Sequence, residues 1–255
     1  MIPYIEQHVW QLGPVPIQVW GFFVALGILV GLWVSARRAE KLGLEKKHIY
    51  DVGTWIILAA LLGARIMHIV FYDGATYVQD PLEIFRVWNG GFSITGGFIG
   101  ALIVAWFYFR KHGLNVWKYA DATIFGLPLG LGIGRIGCFL IHDHPGTATD
   151  FAMGMQYPDG VVRHDHGLYL SINGFVLAIV FAMLAKKKQP IGMFLAVFAV
   201  WYGIMRFFLD FYRAADVTYL GLTPAQYTSV LMLAAGVWGI WRILGGRAKI
   251  QRHNK

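Results

Sequence analysis

Apolar residues dominate seven stretches of this chain, and short polar stretches separate them. The apolar stretches run over residues 17–36, 50–72, 92–109, 119–141, 167–185, 191–211 and 223–244. Each is close to the roughly 20 residues a helix needs to cross a bilayer. In hydrocarbon only helices and closed barrels satisfy the backbone, and stretches of this length suit helices. The pattern therefore predicts an all-α polytopic membrane protein with seven transmembrane helices, forming a single transmembrane domain over residues 1–255. Residues 142–166, between helices four and five, read as a small extracytoplasmic loop insertion. Residues 1–16 carry Ile5, Val9, Trp10 and Leu12 and read as a short interfacial segment. They lack the basic region and cleavage site of a removable signal peptide.

Composition agrees with this reading. Of 255 residues, 57% are hydrophobic and 14% charged, where a soluble domain has about 25% charged. Mean hydropathy is +0.53. The net charge of +8 would suit nucleic acid, but its distribution excludes that partner. Arg37, Arg38, Lys41, Lys46 and Lys47 follow the first stretch, and Arg110, Lys111 and Lys118 the third. Lys186, Lys187 and Lys188 follow the fifth, and Arg242, Arg247, Lys249, Arg252 and Lys255 the seventh. Every lysine is thus on one side, while Arg86, Arg163 and Arg213 fall in the opposite loops. By the positive-inside rule the N-terminus is outside and the C-terminus cytoplasmic. Cys138 is the only cysteine, which excludes an internal disulfide. There is no internal repeat, low-complexity segment or Walker-type phosphate loop.

Three cations break the apolar pattern. Arg65, Arg135 and Arg206 lie inside apolar stretches, where a charge costs about 2.5–3.5 kcal/mol on insertion scales. They precede the outer ends of their helices by seven, six and five residues, roughly 8–10 Å of helix rise. Ser93, Thr95, His68, Cys138, Tyr169, Ser171, Asn173, Asp210 and Gln226 fall in the same layer. The pattern predicts a polar chamber in the outer half of the bilayer that takes an anion. Snorkelling of single arginines is the plainer alternative. Arg206, Asp210 and Arg213 share one helix face at i, i+4 and i+7, which suits an ion pair orienting Arg206. Gly126, Gly130 and Gly134, with Gly132 and Gly137, suit close helix packing. Pro128 suits a kink.

The residues Pro81 to Trp88 followed by Gly90-Gly91-Phe92-Ser93, then Gly126-Leu127-Pro128-Leu129-Gly130 and Gly134-Arg135-Ile136-Gly137, form an ordered set of motifs. Tyr202-Gly203, Arg206-Phe207-Phe208, Phe211, Arg213, Gly221-Leu222-Thr223 and Gln226 continue it. Together, over residues 19–236, they resemble the prolipoprotein diacylglyceryl transferases of bacterial plasma membranes. The resemblance implies transfer of diacylglyceryl from phosphatidylglycerol to the lipobox cysteine thiol of an exported prolipoprotein, with no metal or organic cofactor. Its partners are then the donor lipid, the lipobox peptide and the bilayer. Arginine forks suit a phosphodiester leaving group, and fixed charges suit the negative charge it gains.

Several family positions differ here. Thr95 stands for a histidine, Cys138 for an asparagine, Asp143 for a glutamate, Trp20 for a tyrosine and Asp210 for a second glutamate. His164 to Leu170 stands where the family has His-Pro-x-Gln-Leu-Tyr-Glu. The chain reads as a divergent member. Two triplets, His142-Asp143-His144 and His164-Asp165-His166, flank the outer loop. They fit a general base, polar capping of helix ends, or a zinc site using His142, His144, His164 and His166. Cys138 fits core packing or a thiol activated by cations. The candidate catalytic residues are Arg206, His142 and Asp143. The candidate substrate-binding residues are Arg135, Arg65, Thr95, Cys138, Asp210, Tyr169 and Gln226. Other function classes remain open: a relative with another acceptor, a metal-dependent lipid phosphodiester hydrolase, or a non-enzymatic protein that binds anionic lipid or carries a small anion. The apolar cytoplasmic halves of the helices argue against a transport path.

Overall fold

A computed structural model describes residues 2–71, 74–86, 90–143, 145–214 and 218–253, with the side chains of 75–76, 94–95 and 246–253 outside the description. Its helices are α1 (Val19–Lys41), α2 (Lys46–Phe71), α3 (Gly74–Gln79), α4 (Ile94–Lys111), α5 (Val116–Ile141), α6 (His166–Leu184), α7 (Met193–Asp210) and α8 (Pro224–His253). A 3-10 turn covers Pro81–Phe85. Among the described residues, six helices are long and apolar enough to cross a membrane: α1, α2, α5, α6, α7 and α8. The chain is a mostly helical, polytopic membrane protein. Large side chains such as Leu29, Leu62, Phe71, Leu231 and Trp241 point outward, as lipid-facing positions do.

The expectation of an all-α fold needs correction in two places, where the chain forms strands. The predicted interfacial segment contains an antiparallel hairpin, β1 (Val9–Leu12) with β2 (Val15–Gln18). The predicted loop between α5 and α6 holds a three-stranded antiparallel sheet of β3 (Pro145–Ala148), β4 (Met155–Gln156) and β5 (Val162–Asp165), with β5 central. Backbone groups in a segment leaving the membrane need partners, and here strand pairing supplies them. The Ile2–Met155 bridge and the Gln7 N to Leu140 O bond fasten the N-terminal segment to the sheet and to the end of α5.

The chain divides into two compact units, Met1–Arg38 with Ala120–Lys255, and Ala39–Tyr119. In the first, α1 and α5 approach through glycines. A Cβ at Gly126 would overlap the Gly31 carbonyl and stand 2.5 Å from Ser35 Oγ. The Ser35 hydroxyl donates to Thr123 O at 2.7 Å and accepts from Gly126 N at 3.1 Å. α5 runs on helically through Pro128. On its other side Ser171 Oγ of α6 donates to Gly132 O at 2.8 Å. Leu177, Phe181, Phe194 and Phe198 form the buried core between α6 and α7. Asp121 of α5 caps α7 by accepting from Leu195 N at 3.0 Å. In the second unit α2 packs on α4 through Gly63, Gly96 and Gly100. Without a hydrophobic drive between helices in lipid, small residues that permit close approach carry such contacts.

This packing sets an expectation for two glycines. Gly126→Ala should lower stability by about 1–3 kcal/mol. Gly245→Ala should not lower it, because nothing lies within 4 Å of a Cβ there. Thermal unfolding of both variants in lipid nanodiscs reads the difference.

Candidate active site

The C-terminal end of α7 concentrates charge around one buried carboxylate. Asp210 is 3% exposed. Its Oδ1 lies 3.1 Å from Arg206 Nη2 and 3.8 Å from Arg213 Nη1. The i, i+4 pair expected from the sequence is therefore present, with Arg213 a turn further on. Thr223 donates its hydroxyl to Asp210 Oδ2. Thr223 also begins a reciprocal cap on α8: Gln226 N donates to Thr223 Oγ1 at 3.1 Å, and Thr223 N to Gln226 Oε1 at 2.9 Å. This is a capping box with Pro224 at the first helical position. Gln226 Nε2 then donates to the Phe207 carbonyl at 3.2 Å. Gln226 therefore joins α8 to α7 at the residue after Arg206.

Arg135 and Cys138 occupy the last two turns of α5. Arg135 Nη1 lies 3.7 Å from Cys138 Sγ, and Arg135 is only partly buried. Cys138 is 7% exposed. The first turn of α6 packs against this end. A Cβ at Gly167 would stand 2.7 Å from Phe139 Cα and 2.8 Å from the Cys138 carbonyl carbon. Beside Gly167, His166 is 2% exposed, and neither ring nitrogen has a hydrogen-bond partner among the described residues. Arg206, Arg213 and Asp210 lie within electrostatic range of its ring. The start of α6, through His166 and Gly167, thus links the Cys138 end of α5 to the Arg206–Asp210 end of α7.

Two other histidines of the triplets, His142 and His164, have partners within the protein. His142, at φ 48°, places Nδ1 2.9 Å from Asp165 Oδ2 and Nε2 3.2 Å from the Ile5 carbonyl oxygen. Its ring stacks on Tyr4 with centroids 4.2 Å apart. Both nitrogens face oxygen partners, so neither is open to a substrate proton in this arrangement. Asp165, 1% exposed, also accepts from Leu168 N at 2.8 Å as the N-cap of α6, and from Tyr157 OH at 3.3 Å. Burial, and then the Asp165 carboxylate, pushes the Tyr157 phenol up. His164 Nδ1 lies 2.8 Å from Tyr169 OH, and its ring sits 4.6 Å from that of Tyr212. Burial pushes the His164 imidazole down. Asp143 is exposed. Among the described residues no three His, Cys, Asp or Glu side chains converge as a metal site would require. His144 and the Thr95 side chain lie outside the described residues.

Arg65 belongs to the second unit and is 6% exposed. Its guanidinium donates to the carbonyls of Glu83 and Gly90, to Ile84 and Gly91 at 3.2 Å, and to Arg86 at 3.5 Å. Tyr77 and Phe92 present ring faces to it at 5.1 and 5.7 Å. Gly91, at φ +78°, permits this approach, since a Cβ there would stand 2.7 Å from Arg65 Nη1. Sequence reasoning missed these carbonyls, as well as Tyr157 and Tyr4, while the capping reading of the second triplet fits Asp165 at the start of α6. The spacing Thr223-x-x-Gln226 before an apolar run was the one available signal for the α8 cap.

Fold and site define a class: a polytopic membrane protein with arginines gathered around a buried carboxylate near helix ends. Residues 7–242 match the family model described as prolipoprotein diacylglyceryl transferase. Three relatives carry the name phosphatidylglycerol–prolipoprotein diacylglyceryl transferase. The one from Chromohalobacter salexigens is 35% identical over 92% of this chain and 91% of its own. That from Nitratidesulfovibrio vulgaris is 34% identical over 97% of each chain. That from Allorhizobium ampelinum is 34% identical over 94% of this chain and 90% of its own. The chain belongs to the prolipoprotein diacylglyceryl transferase family.

Asp165 binds the end of α5, the start of α6 and the sheet together. Asp165→Ala should therefore cost about 3–5 kcal/mol, the loss expected when one partner of a buried pair is removed. Hydrogen exchange at the Leu168 amide should accelerate with it, and unchanged exchange would show that the cap is dispensable.

Proposed function

We propose that this chain moves the diacylglyceryl group of phosphatidylglycerol to the lipobox cysteine thiol of an exported prolipoprotein, in the plasma membrane of a bacterium. The similarity to the named transferases over nearly the whole chain supports the reaction. In this reading α1, α2 and α4 to α8 are the seven spans, with the N-terminus outside and the C-terminus cytoplasmic. The lysine and arginine asymmetry supports that topology. α4, at 18 residues, is long enough for the seventh span.

The observation that carries the mechanism is the Arg206–Asp210–Arg213 arrangement. A phosphodiester carries one negative charge, and the departing glycerol phosphate gains a second as the carbon–oxygen bond breaks. Arg206, oriented by Asp210 but keeping further N–H groups, meets that developing charge. Arg135, partly exposed at the end of α5, supplies a second fork for the same phosphate. Fixed donors aimed at developing charge in a dry site accelerate a reaction more than the same donors in water. Asp210 acts through Arg206, and Gln226 fixes the α7–α8 junction that holds both. Arg65, whose donors are spent on five carbonyls, shapes the segment ahead of α4 and does not bind the donor lipid. His142 and Asp165 fasten the outer sheet to the helices. Tyr169 supports His164, and Cys138 packs beside Arg135.

The test uses purified protein in vesicles with acyl-labelled phosphatidylglycerol and a lipobox peptide. Label should appear on the peptide cysteine as a thioether. Release of label as free diacylglycerol would instead identify a hydrolase, and no reaction would reject the transferase reading. Arg135→Ala and Arg206→Ala should each lower kcat by about 10²–10³-fold. Asp210→Asn, which leaves the guanidinium charge in place, should lose less than Arg206→Ala; a larger loss would give Asp210 a direct part in the chemistry.

A further inference from the structure

His142 and His166 are equally enclosed, at 8% and 2% exposure, yet differ in one respect. Both nitrogens of His142 face oxygen partners at hydrogen-bonding distance. Neither nitrogen of His166 has one among the described residues, and Asp210 Oδ1 also lacks a hydrogen bond there. A buried polar group left without a hydrogen bond destabilises the fold. A leucine at this position would avoid that cost. Groups left in this condition in a folded protein call for an explanation, and a part in the chemistry is one.

The position fits such a part. His166 opens α6, held in place by Gly167 against the Cys138–Phe139 backbone. The charges of Arg206, Asp210 and Arg213 reach its ring. The Tyr212 carbonyl comes near the ring without hydrogen-bond geometry. That carbonyl already accepts from Thr147 N at 2.8 Å, and Arg213 pairs with Gly146, so a strand-held backbone segment lies beside the imidazole. An acceptor peptide must displace part of this cover to reach the ring. Arg206 and Arg213 would then favour a thiolate formed beside them.

We propose that His166 is the group that takes the proton of the acceptor thiol in the transfer reaction, an inference that rests on the transferase reading above. The imidazole nitrogen accepts the S–H proton. The sulfur lone pair forms a C–S bond to the terminal glyceryl carbon of the donor lipid. The C–O bond to phosphate breaks with its electron pair on oxygen, and glycerol phosphate departs held by the arginines. The imidazolium returns its proton to the departing phosphate, or through water to the medium. Asp210 lies close enough to support the transient imidazolium.

The experiment compares His166→Gln with the unsubstituted protein on two peptides, one with a lipobox cysteine and one with selenocysteine. A selenol is more acidic than a thiol and ionises without a base. With the cysteine peptide, His166→Gln should lower kcat about 10²-fold or more, the usual contribution of a general base. With the selenocysteine peptide the loss should be about tenfold or less, and KM for phosphatidylglycerol should be unchanged with both. Equal losses on the two peptides, or no loss on cysteine, would overturn the assignment. If His166→Gln fails to show a wild-type melting transition, His166→Asn takes its place in the same comparison. Failure of the unsubstituted protein to label either peptide would reject the transferase reading itself, and this inference with it.

Discussion

A carboxylate enclosed at the end of a membrane helix constrains everything around it. Removing Asp210 from water costs several kcal/mol unless charge and hydrogen bonds surround it. Here Arg206, Arg213 and the Thr223 hydroxyl do so. Thr223 is also the first residue of the α8 cap, and Gln226 of that cap reaches back to the Phe207 carbonyl. The ion pair that aims Arg206 and the junction that positions α8 against α7 are therefore one structure. Small residues continue the α7–α8 contact inward. A Cβ at Gly203 would stand 2.7 Å from the Ser229 carbonyl, and one at Gly236 2.8 Å from the Ala196 carbonyl.

The same logic of enclosure separates the groups with partners in the protein from those proposed to meet the substrates. Arg65, Asp165 and His142 are deeply buried, and their polar atoms meet partners in the protein. Their work is to order backbone: the segment ahead of α4, the start of α6, and the junction of sheet and helices. Arg135 and Arg206 are partly buried and keep donors beyond those used among the described residues. His166 is enclosed without a hydrogen-bond partner among the described residues. An anion and a proton donor arriving together would meet the needs of these three residues.

Much of this was legible in the sequence. Apolar runs of membrane length marked the helices because lipid leaves the backbone few alternatives. The glycines of α5 announced a close helix contact, which α1 provides through Gly27 and Gly31. The spacing of Arg206, Asp210 and Arg213 gave their pairing directly, since helix geometry fixes which residues are neighbours. The strands were not legible. Pro145–Ala148, Met155–Gln156 and Val162–Asp165 are too short to show alternation, and their pairing is set by residues distant in sequence. Nor could spacing distinguish the histidines. His142 and His166 belong to twin His-Asp-His triplets, and only the Ile5 carbonyl and Asp165, far from His142 along the chain, separate the two fates. The use of Arg65 was hidden because its partners are carbonyls, which every residue carries.

The central claim is that Arg206, oriented by Asp210, and Arg135 receive the lipid phosphate. The most direct measurement is a structure of the protein in a lipid nanodisc with a phosphonate analogue of phosphatidylglycerol that cannot transfer its diacylglyceryl group. The account predicts the phosphonate oxygens within about 3 Å of the guanidinium nitrogens of both Arg135 and Arg206, the range of a charge-assisted hydrogen bond, with the Arg206–Asp210 pair intact. A phosphonate bound elsewhere, with Arg135 and Arg206 untouched, would contradict it.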